Sequence, residues 1–183
     1  MKYCSNCGNN QLKFEVPEGD HLPRHFCEKC GTIHYQNPKI VVGCLPIFED
    51  KILLCRRAIE PRKGMWNLPA GFMENGETVQ QGAIREVWEE TLSKVEIIRL
   101  HCIYDLTHVN QVYMIFLAKL ENNNLVEKTP ESLEIKLFSH SQIPWDEIAF
   151  TSTKFAIEKY LSSQNHEGTH LGQYILPKDG RIW

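Results

Sequence analysis

Two C-x2-C pairs, Cys4/Cys7 and Cys27/Cys30, set 19 residues apart, constrain this 183-residue chain more than any other feature. Each pair brings two thiols to one side of a tight turn, and a glycine, Gly8 or Gly31, follows each second cysteine. The surrounding stretch, residues 1–38, holds few aliphatics and many turn formers, among them Pro17, Gly19, Pro23 and Pro38. So little apolar surface does not offset the entropy of ordering the backbone, and the segment needs a staple. Two matched knuckles supply the four thiolates of a tetrahedral zinc site. A redox dithiol or an iron–sulfur cluster also uses cysteine, but two matched pairs in a core-poor segment favour structural zinc. His21, His25 and His34 read as surface or turn residues. Cys44, Cys55 and Cys102 read as buried small hydrophobes, and nothing marks any of them as a nucleophile.

The charges number 20 Lys+Arg against 23 Asp+Glu, a net of −3. A chain held to nucleic acid by phosphate attraction is basic, so nucleic-acid binding is disfavoured. Residues 1–39 carry five basic and four acidic side chains, which is no basic stripe and favours a structural or dimer-forming ribbon. The longest mostly apolar run, residues 40–48, is interrupted by Gly43 and Pro46. It is about half the length of a membrane-spanning helix. The first twenty residues include Glu15, Glu18 and Asp20 and show no apolar signal-peptide core, so a cytoplasmic protein with no membrane partner is expected.

From Lys39 onward the composition changes. Residues 39–48 and 51–57 read as two strands joined by a turn at Glu49-Asp50. Residues 58–77 form a Pro- and Gly-rich loop, and 78–92 show helical periodicity. Residues 94–104, 111–120 and 133–138 read as further strands, and Pro144 suits the first turn of a helix running to about Leu161. Strands on both sides of a long helix, with a second helix at the end, predict an α/β (α+β) layered domain. The chain then divides into a ribbon at 1–38, a main domain at 39–163 and a polar tail at 164–183 with no clear period.

The most informative helix is the acidic one. At about 100° per residue, Val79, Ala83, Ile84, Val87 and Trp88 form an apolar side that packs on a sheet, while Glu86, Glu89 and Glu90 converge on the other side. Three carboxylates at i, i+3 and i+4 near a helix C-terminus repel one another and oppose the helix dipole. Arg85 neutralises one of them, and the surplus suits Mg2+ or Mn2+. A solvated acidic face is the alternative reading of the glutamates alone. Upstream lie Trp66-Asn67-Leu68-Pro69-Ala70-Gly71 and Glu74, Gly76 and Glu77, a tightly turned loop over the helix start. A loop of carbonyls and carboxylates beside an acidic helix face is a candidate multi-metal, phosphate-binding site.

Gly71, Glu77, Arg85-Glu86 and Glu89-Glu90, with Val87 between them, resemble the Nudix box, G-x5-E-x7-R-E-U-x-E-E. The resemblance implies an α/β/α sandwich that hydrolyses a nucleoside diphosphate linked to another group. It implies that Glu86, Glu89 and Glu90 bind divalent metal, with the Ala70 carbonyl as an extra ligand and Arg85–Glu77 as a supporting pair. A homodimer is likewise implied. One position departs from the pattern: Leu92 stands where the family commonly has a glycine to cap the helix. The preceding ribbon, the KILLCRR segment and IPWDEIAF near the end resemble the zinc-ribbon branch of Nudix pyrophosphatases, over about residues 1–160.

Within that branch, the Ser-Gln-Pro-Trp-Pro-Phe-Pro signature of NADH pyrophosphatases is absent after Ser93. By elimination FAD or ADP-ribose is the expected substrate, releasing AMP. NADH, a capped RNA, and a non-catalytic nucleotide-binding module are the alternatives. Arg56, Arg57, Arg62 and Lys63 are candidate phosphate contacts, and Trp66, Phe72, Tyr104 and Tyr113 candidate stacking residues. Glu89, Glu131 or Glu134 would take the proton of the attacking water.

Overall fold

Gly8 and Gly31 both adopt φ of +71°, and their N–H groups donate to Cys4 and Cys27 at 3.0 and 2.8 Å. Each C-x2-C pair is thereby closed into the same turn, with a left-handed residue that glycine adopts without a Cβ clash. In the computed structural model, which describes residues 1–162 and 168–176, these turns belong to a compact unit spanning Met1–Asn37. Its three antiparallel strands are β1 (Lys13–Glu15), β2 (Arg24–Cys27) and β3 (Thr32–His34), in that order. His34 departs from its sequence reading: it is buried, and its Nδ1 lies 3.4 Å from Ser5 Oγ, because β3 turns it under the first knuckle.

The second unit, Pro38–Trp183, is built on a mixed sheet of eight strands among the described residues. Its strands are β4 (Lys39–Phe48), β5 (Lys51–Arg57), β6 (Trp66–Asn67), β7 (Ala70–Phe72), β8 (Val95–Leu106), β9 (Gln111–Leu120), β10 (Ser132–Ser139) and β11 (His170–Gln173). The main path runs β10-β5-β4-β9-β8-β11, with β6 added to β5 and β7 to β4. β4 reads as a near-continuous apolar run because both of its faces are covered, as strands in layered α/β folds are. Leu45, Ile52, Leu54, Cys102 and Ile115 pack one face with Ala156 and Ile157 of helix α2 (Thr151–Ser162). Val42, Cys44, Leu53, Cys55 and Phe116 pack the other with Ala83 and Val87 of helix α1 (Val79–Thr91). The two clusters take alternate residues of β5, as the two-residue period of a strand requires. The result is the expected α/β/α sandwich.

Three expectations change. Helix α2 starts at Thr151, not at Pro144, which precedes a single 3-10 turn at Trp145–Glu147. Ile148 then becomes extended to bridge Trp66 and fill the core, and the Ala149 N–H donates to the Trp66 carbonyl at 2.8 Å. The loop at 58–77 contains β6 and β7, held by β5 and β4 and not by any pattern of their own. The tail contains β11, which runs parallel to β8 from Cys102 to Asp105, with Phe155 and Tyr104 crowding Gly172. Residues 164–167 and 177–183 of that tail lie outside the described residues. No described helix is long and apolar enough to cross a membrane.

Candidate active site

The site starts from two backbone crossings. A Cβ on Gly43 of β4 would overlap Ala70 and the Pro69 carbonyl, so only glycine lets the loop before α1 lie against the sheet. A Cβ on Gly71 would overlap the Glu86 carboxylate, which lies against the β7 backbone. The helix begins with a reciprocal cap: Thr78 Oγ1 accepts from the Gln81 N–H at 3.2 Å, and Gln81 Oε1 from the Thr78 N–H at 2.8 Å.

Arg85 ties loop to helix with all five of its N–H donors. Nε and Nη2 make a bidentate pair with Glu77 at 3.0 and 2.8 Å, and Nη2 also reaches the Phe72 carbonyl at 3.1 Å. Nη1 donates to Glu86 at 2.7 Å and to Glu89 at 2.9 Å. Arg85 and the Glu74 N–H hold the Glu77 carboxyl down at about 2. Burial pushes the Glu86 carboxyl up, against the pull of Arg85. Burial also raises Glu90, to about 7, with the Glu86 charge adding to the effect.

The three glutamates do not share one exposed face as expected. Glu86 and Glu90 are both 8% exposed and only Glu89 is exposed, while Ile84 and Trp88 face solvent. The packed stripe of α1 is narrow, centred on Ala83 and Val87. Gly82 permits close approach of Val42 and Glu77, which draws the Glu86 and Glu90 positions inward. Helix α1 ends as the family pattern requires even without glycine: Leu92 takes φ 53° and ψ 21°, and its N–H bonds to the Trp88 carbonyl at 2.8 Å.

A cavity of about 350 Å3 opens beside α1. Glu86, Glu90 and Glu131 line it, as do Ala70, Gly71, Phe72 and Tyr113. Among the described residues Arg57 is the one cation of its lining; its Nε donates to the Pro61 carbonyl at 2.9 Å and its guanidinium lies 5.0 Å from the Phe150 ring centre. Leu106, Val109, Ile59 and Phe150 form an apolar wall that the sequence reading missed. No periodic signal marks these four, since they come from separate loops and strand ends.

Other candidates lie elsewhere. Arg56 is not in the lining; it donates to the Gly64 carbonyl at 2.7 Å and lies 3.7 and 4.0 Å from Glu134 and Glu147. Trp66 and Tyr104 are buried, packed edge-on against Phe138 and tilted against Phe155, respectively. Arg62 and Lys63 are also absent from this lining, as is Glu89.

Among the described residues, one set of His, Cys, Asp or Glu ligand atoms gathers within 4.8 Å: the four sulfurs of Cys4, Cys7, Cys27 and Cys30. The Cys4–Cys30 and Cys7–Cys27 sulfurs are each 3.6 Å apart. Thiolates 2.3 Å from a tetrahedral zinc stand about 3.8 Å from one another, so the quartet fits that ion. The glutamate site fits by the chemistry of its donors, hard carboxylate oxygens in surplus over one lining arginine.

A NUDIX domain family model matches residues 37–157, and a Nudix N-terminal zinc-ribbon model matches residues 2–36. Among solved structures, a NUDIX hydrolase from Nitrosomonas europaea is 50% identical, with a TM-score of 0.89 over 95% of this chain and 99% of that one. The NAD-capped RNA hydrolase NudC of Vibrio parahaemolyticus is 29% identical over 170 residues, 88% of this chain and 60% of its own length. NudC of Vibrio vulnificus is 30% identical over 152 residues, 79% of this chain and 53% of its own. The chain thus spans little more than half the length of these curated relatives. With a NUDIX domain over most of its length and a near-complete match to a NUDIX hydrolase structure, the chain belongs to the Nudix hydrolase family.

Proposed function

We propose that this chain hydrolyses the pyrophosphate bond of a nucleoside diphosphate derivative, FAD or ADP-ribose, and releases AMP. The observation that carries the reading is the cavity, where Glu86, Glu90 and Glu131 face a single arginine and an apolar wall. Glu86 and Glu90, with Glu89 and the Ala70 carbonyl, are the groups that would hold Mg2+ or Mn2+. Such a cation, when bound, neutralises phosphate oxygens and lowers the pKa of a coordinated water.

The chain's own residues do the rest. Arg85 keeps Glu86 and Glu89 in place by reaching both from one nitrogen. Arg57, braced by Pro61 and Phe150, offers its remaining N–H donors to a phosphate. Glu131 is the lining carboxylate assigned to take the proton of the attacking water. Leu106, Val109, Ile59 and Phe150 exclude water and receive a flat base.

A second reading is supported by the NudC relatives, whose names point to NAD-capped RNA. The acidic net charge weighed against nucleic acid, but an RNA that enters by its dinucleotide end needs little basic surface. The missing Ser-Gln-Pro-Trp-Pro-Phe-Pro segment favours FAD or ADP-ribose over an NAD-type group. Mg2+-dependent AMP release from FAD, ADP-ribose, NADH and NAD, with coenzyme A scored by release of adenosine 3′,5′-bisphosphate and an NAD-capped RNA by loss of the cap, tests both. A kcat/KM at least tenfold higher for FAD or ADP-ribose is expected. Preference for NADH or the capped RNA moves the chain to the second reading. Metal binding without turnover on any of them moves it to a nucleotide-binding module.

A further inference from the structure

We infer that Cys55 is a positioning residue for the candidate metal site: its thiol fixes one oxygen of Glu90 and leaves the other for the cation. This rests on the reading of Glu90 as a metal ligand. Cys55 lies on β5 at 1% exposure, with Sγ 3.0 Å from Glu90 Oε2 and 3.5 Å from the Asn67 carbonyl. A thiol has one proton to donate, and the nearer oxygen, that of Glu90, accepts the hydrogen bond.

The box glutamates are therefore held in two different ways. Glu86 and Glu89 both answer to the Arg85 guanidinium. The Glu90 carboxylate has no side-chain hydrogen bond among the described residues other than the one from Cys55. Thr129 fixes the Glu90 main chain by donating to its carbonyl at 3.0 Å, so the thiol has only the side-chain torsions left to set. A neutral, weak donor orients a carboxyl group without bringing a competing positive charge into the cavity that Glu90 lines. A guanidinium in the same place would compete with the cation; an aliphatic side chain would leave the carboxylate to rotate.

The test uses the full chain, prepared with zinc, and the variants Cys55→Ser, Cys55→Val, Cys55→Ala and Glu90→Gln. Mn2+ affinity is read directly from the paramagnetic resonance of free Mn2+, with metal-free thermal unfolding to show that each variant is folded. Cys55→Val fills the volume without a donor and is expected to weaken Mn2+ binding about tenfold, the usual cost of losing a group that orients a ligand. Cys55→Ala serves the same purpose if the larger side chain does not fold. The Mg2+ concentration for half-maximal turnover rises by the same factor, while KM for the nucleotide at saturating Mg2+ stays unchanged. Cys55→Ser, which keeps an O–H donor, restores most of the affinity. In a Glu90→Gln background Cys55→Val adds no further loss. Serine as poor as valine would make the effect one of packing and overturn the inference. So would wild-type affinity in Cys55→Val beside a clear loss in Glu90→Gln. Unchanged Mn2+ affinity in Glu90→Gln removes the metal-ligand reading itself, and this inference with it.

Discussion

Arg85 makes five hydrogen bonds to four residues, and that economy explains why the Gly71–Glu90 spacing is so restrictive. Lysine, with a point charge and no planar fork, cannot replace it. Gly71 supports the same arrangement from the opposite side, because the Glu86 carboxylate occupies the space of its missing Cβ. Gly71→Ala is expected to push that carboxylate, the free end of a flexible side chain, out of the cavity. Stability should change by less than about 1 kcal/mol, whereas kcat/KM should fall about 100-fold on the proposed role of Glu86 as a metal ligand. Parallel thermal melts and AMP-release kinetics check this; a large loss of stability with kinetics intact would refute it. The box residues were legible in the sequence because a helix turns fixed spacings into fixed directions. Cys55 and Phe150 were not, and Glu131 was one of three candidate proton acceptors with nothing to single it out. They meet Glu90 and the cavity only through strand pairing and loop packing, and a lone cysteine or glutamate carries no period.

At the scale of elements, α1 shows how a family position tolerates an unusual residue. Leu92 sits at φ 53°, a left-handed conformation that costs a non-glycine residue about 1 kcal/mol. Its side chain is 47% exposed, so little packing is lost on its removal. Leu92→Gly should therefore stabilise the protein by about 1 kcal/mol, raising Tm by about 2–4 °C, with activity unchanged. A melting temperature equal to or below wild type would show that the leucine packing outweighs the strain. β4, β5 and β9 have the limits read from the sequence, since long apolar strands bounded by turns announce themselves. The start of α2 and the strand β11 did not: a neighbouring strand pulls Ile148 extended, and β8 supplies the order that β11 lacks alone.

For the whole molecule, stability comes from different sources in its two units. The Met1–Asn37 unit has few buried apolar side chains beyond its cysteines, so a zinc ion held by the four cysteines would contribute most of its folding free energy, about 10 kcal/mol or more. About one zinc per chain is expected by elemental analysis, and Cys27→Ser should lose it and expose the bonds of residues 8–26 to protease. A folded, zinc-free wild type would overturn the ribbon assignment.

In the Pro38–Trp183 unit one buried histidine joins three elements and makes stability depend on pH. His101 of β8 is fully buried, with Nε2 2.9 Å from the Ala156 carbonyl of α2 and its ring 5.4 Å from that of His170 on β11. Tyr160 of α2 packs edge-on at 6.4 Å. Burial lowers the His101 pKa to about 4, helped by the charges of Arg99 and His170 and opposed by the Ala156 hydrogen bond. In the unfolded chain the imidazole takes up its proton near pH 6.5, whereas the folded chain refuses it until about pH 4. The unfolded state therefore binds more protons between these limits. Stability is fully present above pH 6.5 and falls as the pH drops, by about 3 kcal/mol at pH 4. His101→Gln keeps an N–H donor for Ala156 but does not titrate. Its unfolding free energy should be lower than wild type at pH 7.5 and lose less between pH 6.5 and 4.5, so that the two curves converge on acidification. Parallel curves across that range would show that the acid sensitivity lies elsewhere in the molecule.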